Sequence, residues 1–169
     1  MQSRIETLIE KKLIGKKLLM SFANNQTFKL WNGFMSRRTE IKNNIGTNLY
    51  SMQIYPPLFF EKFNPNIEFE KWACVEVKDF ISVPTEMESF ILPGGLYAVF
   101  LYKGIAADAE TAFRYILQEW LPKSNYVLDN RPHLKYWEKN TVGIVLTLKK
   151  RFGFLQNPKI SFGCMTIIM

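Results

Sequence analysis

The chain has few of the residues on which metal sites, disulfide frameworks and nucleophilic catalysis usually depend. Its 169 residues include only two cysteines and one histidine. Cys74 and Cys164 are too few for a disulfide framework and lack the spacing of metal ligands, so Cys74, in an apolar segment, is interpreted as a small core residue. His133 has no paired cysteine or histidine, which argues against catalysis or haem ligation there. Phosphate-binding loops, nucleophile elbows and dinucleotide fingerprints are missing too, so we expect no metal and no cofactor.

Long apolar segments are also missing. No stretch approaches the roughly 18 apolar residues of a membrane span, and the first residues, MQSRIE, lack the apolar centre of a signal peptide. We therefore expect a cytoplasmic protein that does not contact a membrane. Hydrophobic residues make up 47% of the chain and aromatic residues 15%, which is enough to fill the core of one domain of this length.

Negative charge is in short supply, most of all toward the end of the chain. The net charge is +7, and residues 134–169 contribute +5 of it through six basic residues and one acidic residue. Only the run KKR at 149–151 approaches a cluster that would bind phosphate groups, and no nucleic-acid reading motif accompanies it. We expect no direct binding to nucleic acid.

The first half of the chain predicts a strand, a helix and two more strands. Residues 10–22 form the first strand, and the NNQT segment at 24–27 supplies side chains that start a helix. The apolar face of this helix consists of Leu30, Trp31, Phe34 and Met35. The alternating segment 49–55 and the apolar segment 69–77 predict the other two strands.

The second half repeats this order. Residues 89–102 predict a strand interrupted by Pro-Gly-Gly at 93–95, because proline lacks a backbone donor and glycine accepts unusual dihedral angles. Residues 107–121 predict an amphipathic helix that Pro122 ends, and another strand begins within 126–133. The apolar face of this second helix consists of Ala109, Ala112, Phe113, Ile116, Leu117, Trp120 and Leu121.

Two β-α-β-β units in succession predict an α+β domain. Each helix has one apolar stripe to bury, so both helices are expected on one face of an antiparallel sheet, with a groove between them. Concave clefts of this kind are where small ligands bind.

Two segments carry a resemblance to a known family. FILPGGLYAVFLYKG at 90–104 and WLPKSNYVLDNRPH at 120–133 are similar to the GyrI-like family, the ligand-binding domain attached to many AraC-type and MerR-type bacterial regulators. The resemblance extends over residues 1–133 and implies the duplicated fold described above. It also implies a stand-alone form, because no helix-turn-helix segment accompanies the domain in this sequence.

The tail departs from the pattern of the family, whose members typically read Pro-x-Phe-Glu-x, an acidic turn and a last strand of the type EEEIWIP. Codons from position 133 onward, read one base out of register, allow the peptide HFEILGEKYRRNSPDSEEEIWIPAKPKN and then a stop codon. We infer that a single-base deletion near the His133 codon produced residues 134–169, which leaves the last strands of the 1–133 domain incomplete. The apolar, β-branched segment GIVLTL at 143–148 could still pair as a strand.

The resemblance also implies where a ligand would bind. In the family, the glutamate of the Phe-Glu pair lies in the groove and faces cationic or polarised ligands; Lys135 takes its place here and inverts the charge. The resemblance further implies that the strand of Tyr50 faces the cleft. An aromatic stripe at helical spacing, as at Trp31 and Phe34, is more often core than binding surface, so both interpretations stay open for the other candidates. These candidates are Trp31, Phe34, Tyr50, Met52, Trp72 and Trp120.

Together these features predict a small-molecule (effector) binding protein for amphipathic or cationic organic ligands, linked to transcription regulation or to a xenobiotic response. Lys135 argues against cations in the chain as it stands. Two alternatives remain: a hydrolase of reactive xenobiotics on the same fold, in which a groove carboxylate would activate water, and a protein-binding inhibitor of the kind that acts on DNA gyrase, which would have a protein partner.

Overall fold

The computed structural model describes residues 2–62, 64–103, 109–138 and 141–150 of the chain. In this part of the chain nine strands form one antiparallel sheet, and two main helices pack on it. The strands are β1 (Gln2–Leu8), β2 (Lys11–Met20), β3 (Leu49–Ile54), β4 (Phe69–Glu76), β5 (Glu88–Leu92), β6 (Gly95–Lys103), β7 (Tyr126–Leu128), β8 (His133–Glu138) and β9 (Thr141–Lys150). Helix α1 is Thr27–Met35, and α2 runs through Ala109–Tyr115, Ile116–Trp120 and Leu121–Lys123.

The predicted duplication is confirmed by the order of strands, β1-β6-β9-β8-β3-β4-β2-β5, with β7 pairing on β9 outside this path. The first unit consists of β2, α1, β3 and β4, and the second of β6, α2, β8 and β9. In each unit the last strand lies between the other two. The units meet where β3 pairs with β8, so the sheet has an approximate two-fold relation about this junction.

The two edge strands are exchanged between the units. Strand β1 precedes the first unit in sequence but pairs with β6 of the second. Strand β5 precedes the second unit but pairs with β2 of the first. Each unit therefore has its outer edge closed by the segment that leads into the other unit.

The structure also departs from the sequence-based expectation at both ends. The sequence does not predict strand β1, because QSRIETL at 2–8 is mostly polar. In the structure this strand is largely exposed, as is common for an edge strand. The segment 143–148 does pair, within the longer β9, and fills the position between β6 and β8 that the last strand of the second unit requires. The sheet is thus continuous through the tail as far as residue 150.

Helix α2 contains a turn of π-helix at Ile116–Trp120, where a regular helix was expected, and it ends at Lys123 rather than before Pro122. The π turn ends two residues before Pro122, which has no N–H to donate to the preceding turn. The apolar face nevertheless stays on the sheet, because Ile116, Leu117 and Leu121 are all buried.

The core divides into three clusters. Under α1, Leu30 and Phe34 pack on Ile14, Ala73 and Val75. Under α2, the buried residues are Ala98, Phe100, Ala112, Ile116, Leu117, Leu121, Ile144, Leu146 and Leu148. On the opposite face of the sheet a third cluster includes Leu13, Tyr50, Met52, Trp72, Cys74, Leu92, Tyr97, Val99, Leu134 and Val145. Both helices therefore lie on one face of the sheet, as predicted, and Cys74 is a buried core residue.

The turn before β8 is held by Arg131. Its guanidinium donates to the carbonyl oxygens of Gly94 (2.9 Å), Leu96 (3.1 Å) and Leu148 (3.1 Å), and to the carboxylate of Asp129 (2.6 Å). One side chain thus joins the start of β6, the end of β9 and the turn into β8. The planar fork of arginine suits this task, since lysine could not satisfy several carbonyl groups in fixed directions.

Gly15 marks a close approach of two strands and generates a stability prediction. A Cβ atom at this position would overlap the carbonyl oxygen of Ala73 and the side chain of Cys74, whereas a Cβ at Gly33 of α1 would lie 4.0 Å from Lys16 Cδ. We expect Gly15→Ala to lower the free energy of unfolding by about 1–3 kcal/mol through overpacking. Gly33→Ala should raise it by up to about 1 kcal/mol through helix propensity. Urea denaturation of both variants checks this, and equal effects would contradict the strand spacing.

Candidate functional site

The two central strands lie between the helices. Helix α1 packs on β2 and β4, and α2 packs on the residues of β6 and β9. Strands β3 and β8 separate these two pairs in the sheet. Their helix-side residues therefore form the base of the space between α1 and α2.

The register identifies these helix-side residues. Ala73 lies under α1, and Ile144 lies under α2. Ser51 is the direct partner of Ala73 on one side and of Lys135 on the other, and Lys135 is the partner of Ile144. Because directly opposed residues point to the same face, Ser51 and Lys135 both lie on the helix side.

The next row along the strands belongs to the same face. Gln53 is two residues from Ser51 and has Lys71 and His133 as its direct partners. We call the five residues of these two rows the central floor: Ser51, Gln53, Lys71, His133 and Lys135. Each of the five side chains carries at least one hydrogen-bond donor.

Two of these side chains are lysines whose ammonium groups lie among protein atoms. Burial lowers the pKa of Lys135 to about 8, and its Nζ lies 4.6 Å from the ring centroid of Phe113 on α2. Burial, and then the charge of Lys135, hold the pKa of Lys71 well below its usual range. Among the side chains that the structure describes, no carboxylate forms an ion pair with either ammonium. The floor therefore holds two half-buried lysines for which the described side chains supply no carboxylate partner.

The other three floor residues are buried polar groups. Ser51 and Gln53 are 1% and 4% exposed, and the amide of Gln53 donates to Ser51 Oγ over a long 3.5 Å. Burial lowers the pKa of His133 to about 4, so its ring is neutral near pH 7. The backbone N–H of Thr147 donates to Nδ1 of this ring at 3.3 Å, which leaves the ring proton on Nε2.

Aromatic rings border the floor at both ends. Phe113 of α2 covers Lys135, as described above. At the other end, the rings of Tyr55 and Phe60, from the loop after β3, lie 5.9 and 5.8 Å from the ring of His133. Polar groups at the base with aromatic side chains around them form the combination that small-molecule sites commonly use.

The structure places the sequence-predicted site residues in three locations. Lys135 lies in the central floor. Phe34 is buried in the core under α1 with half-buried Trp31 beside it, at 6.0 Å between ring centroids. Trp120 is half-buried on α2, edge-on to Phe100 at 4.9 Å.

The three remaining candidates lie on the face of the sheet away from the helices, in the third core cluster. Met52 is fully buried there. Tyr50 donates to Glu76 Oε2 at 3.1 Å, and the indole N–H of Trp72 donates to Glu70 Oε2 at the same distance. The expectation that Tyr50 faces the cleft is thus at odds with the register, which turns the neighbouring Ser51 toward the helices. A role for these six residues and Lys135 in ligand binding stays a prediction.

The sequence-based prediction of the site did not include several residues of the central floor and its surroundings. Ser51, Gln53 and Lys71 were not singled out, and Phe113 was assigned only to a core stripe. The signal that could have found the first two is the alternation of β3, in which polar Ser51 and Gln53 occupy one face of a strand at the junction of the units. Such polar positions in a buried central strand are unusual enough to indicate function.

A depression lies on α2, away from the central floor. It has a volume of about 220 Å³ and is lined by Tyr115, Glu119, Trp120, Lys123 and Ser124. It is open to solvent, and two of its lining residues, Tyr115 and Trp120, are aromatic. In the described residues, no group of three or more His, Cys, Asp or Glu side chains is arranged to hold a metal ion. None of the helices in that part of the chain has the length and apolar content that a membrane crossing requires.

Comparison with known proteins identifies relatives of this arrangement. The model of the GyrI-like small molecule binding domain matches residues 1–141. No curated protein sequence is significantly similar to the chain.

Solved structures share the fold. The C-terminal domain of EcmrR, a protein also solved in complex with DNA, has a TM-score of 0.66 at 15% identity and covers 88% of this chain and 98% of its own. SAV2435 bound to tetraphenylphosphonium has a TM-score of 0.64 at 14% identity, covering 88% and 94%. A hydrolase from Listeria innocua has a TM-score of 0.59 at 9% identity, covering 88% and 92%. At such identities the likeness establishes the fold.

The buried charge of Lys135 predicts a pH-dependent stability. The pKa of this residue is about 8 in the folded protein, against 10.5 as its ordinary value. Below pH 8 Lys135 is protonated in both the folded and the unfolded protein, so the full cost of burying its charge lowers the free energy of unfolding. Between about pH 8 and 10.5 only the unfolded chain holds it, so this contribution makes the free energy of unfolding rise with pH.

We expect Lys135→Met to raise the free energy of unfolding at pH 7 by about 1–3 kcal/mol, because each unit of pKa shift corresponds to about 1.4 kcal/mol. The variant should also lose the part of the rise between pH 8 and 10 that Lys135 causes. Urea denaturation at pH 7, 8.5 and 10 measures both effects. The control is Lys29→Met, the same substitution at an exposed position of α1. A Lys135→Met variant that is no more stable than this control would show that the ammonium is hydrated in the folded protein.

Proposed function

The chain belongs to the GyrI-like small-molecule-binding domain family, and we propose that it binds an amphipathic organic molecule between α1 and α2, over the central floor. The observation that carries the proposal is the floor itself: three buried polar side chains and two half-buried lysines on the helix side of the strands between α1 and α2. Burial of lysines without a partner lowers the stability of the folded protein, whereas a ligand that pairs with them would offset this loss.

The proposed contacts come from both units. Lys135 and Lys71 would contact the polar end of the ligand, and Phe113, Tyr55 and Phe60 its apolar part. Larger ligands would reach the half-buried rings of Trp31 and Trp120 on the two helices. Phe34, Tyr50, Met52 and Trp72, being core residues, would support the site without reaching the ligand.

A regulatory setting in the cytoplasm is part of the proposal. The family resemblance links such domains to transcription regulators, and the fold neighbour EcmrR forms a complex with DNA. In that setting the domain would sense an effector, in a transcriptional or xenobiotic response, without contacting DNA or a membrane itself.

A hydrolase on the same fold is the second candidate, and the observation that favours it is the lowered pKa of Lys135. With a pKa of about 8, an appreciable share of this amine is neutral at slightly alkaline pH and would accept a proton from an attacking water. The hydrolase from Listeria innocua has the same fold. This candidate requires turnover of an electrophilic substrate that is lost in Lys135→Met.

We also propose that residues 134–169 come from a shifted reading frame. The peptide encoded in the neighbouring frame supports this proposal, and so does the charge of the central floor. A glutamate at position 135, which the neighbouring frame supplies, would face Lys71 across the floor and neutralise it, whereas Lys135 repels it. The resulting carboxylate would restore the charge on which cation binding depends in the family.

Ligand binding is expected to be saturable and to depend on Phe113. Naphthalene-2-acetate, naphthalene-2-acetamide and tetraphenylphosphonium serve as probes, with binding followed by tryptophan fluorescence and by the shift in Tm. We expect at least one of them to bind. Phe113→Ala should weaken it roughly tenfold, because loss of an aromatic contact costs about 1–1.5 kcal/mol.

The matched control for this experiment is Phe28→Ala on α1, where the ring is 80% exposed. This substitution should leave the Kd unchanged. If none of the probes binds, the small-molecule function fails for these ligand classes. If both variants weaken binding equally, the ligand does not lie over the central floor.

The reading frame is tested by the nucleotide sequence of the gene. We expect the codons after His133, read one base out of register, to encode the Phe-Glu pair and the EEEIWIP segment. The first 133 codons serve as the internal control, since they should need no correction. A neighbouring frame without these segments would contradict the deletion.

A further inference from the structure

The central floor has an excess of positive charge that nothing in the described part of the protein balances. Lys71 of β4 and Lys135 of β8 flank β3 on the same face of the sheet, beside Gln53 and Ser51 respectively. Both lysines are half-buried, burial lowers the pKa of each, and the charge of Lys135 lowers the pKa of Lys71 further. Two like charges in such a place are costly unless a negative group joins them.

The carboxylates near these strands point elsewhere. Glu70 and Glu76 of β4 alternate with Lys71 and Ala73, so they lie toward the opposite face, where they accept hydrogen bonds from Trp72 and Tyr50. Their ion pairs are with lysines of β2, Lys17 and Lys11. The floor thus has no internal acid within reach among the described side chains.

From this arrangement we infer that the central floor binds an organic anion, with a carboxylate, sulfonate or phosphate group between the ammonium groups of Lys71 and Lys135. This inference rests on the proposed small-molecule function and names the class of ligand. The oxyanion accepts charge-assisted hydrogen bonds from the two lysines. The apolar body of the molecule packs against Phe113 at one end of the floor.

The polar neighbours of the lysines are suited to an oxyanion. The amide of Gln53 has two N–H groups, and its contact with Ser51 Oγ is at the outer limit of a hydrogen bond. Rotation of the amide or of the hydroxyl would direct a further donor at a bound oxyanion. The neutral ring of His133 adds no competing charge.

The inference is tested with three ligands of one skeleton and different charge: naphthalene-2-acetate, naphthalene-2-acetamide and 2-(naphthalen-2-yl)ethylammonium. Titration calorimetry at pH 7 with the full chain gives their affinities. We expect the acetate to bind on the order of tenfold more tightly than the amide, and the ammonium compound to bind weakest, because hydrogen bonds between charged groups exceed neutral ones by this amount.

Single substitutions of the floor lysines assign the effect to the site. Lys135→Met and Lys71→Met should each lower the affinity for the acetate about tenfold and that for the amide by a smaller factor, because the neutral amide oxygen accepts a weaker hydrogen bond from an ammonium group than a carboxylate does. Lys29→Met, the exposed control on α1, should alter neither. Lys135→Glu should abolish the preference for the anion, because the new carboxylate would form an ion pair with Lys71. Circular dichroism confirms that each variant is folded, and the ligand series on the unaltered chain needs no variant.

The outcomes separate this inference from the function on which it rests. Equal affinity for all three ligands would overturn the anion site and leave small-molecule binding in place. Loss of acetate binding in Lys29→Met to the same extent as in Lys135→Met would also overturn it, because the preference would then reflect the overall charge of +7. Failure of all three ligands and of tetraphenylphosphonium to bind would overturn both proposals.

Discussion

The antiparallel pairing of β3 with β8 is the contact on which the rest of the molecule depends. It joins the central strands of the two units, which also exchange β1 and β5, and it places both helices on the same side of one sheet. Without it, Ser51 and Gln53 of the first unit would not lie opposite Lys135 and His133 of the second. The site is therefore a product of long-range pairing, and neither unit contains it alone. This also explains why its residues are polar: the strands at the junction carry no helix directly on them, so their helix-side positions are free to serve a ligand instead of the core.

The charge of residue 135 bears both on the class of ligand and on the proposed shift of the reading frame. Two neighbouring half-buried lysines lower stability by an amount that one nearby negative group would offset in part. In the proposed anion site an oxyanion of the ligand is that group, whereas the neighbouring reading frame would supply a carboxylate at position 135. Both would act on the same deficit of negative charge. On these proposals the present chain would favour anions and a chain with glutamate at position 135 would favour cations, with the same fold and aromatic surroundings.

Local patterns in the sequence predict most elements of this fold but not their arrangement. The apolar stripe at 109–121, the alternation of β3 and the Pro-Gly-Gly interruption before β6 are local signals, and each corresponds to an observed element. Strand β1 has no such signal, because an exposed edge needs few apolar residues. In the candidate site, Lys135 and the expected orientation of Tyr50 came from the family resemblance. Alternation shows that Tyr50 and Ser51 face opposite sides, but only the register with β4 and β8 decides which side bears the helices. Lys71 joins the floor only through that register, because Lys71 and Lys135 are more than 60 positions apart in the chain.

The exchange of β1 and β5 between the units has a consequence for how the protein responds as a whole. Unfolding of either unit would release the strand that pairs with the outer strand of the other unit. We therefore expect the two units to unfold together in one cooperative transition. The arrangement has the topology of two intertwined copies of one unit. A ligand bound where β3 pairs with β8 would therefore stabilise both units together, including the strands β1 and β5 that they exchange.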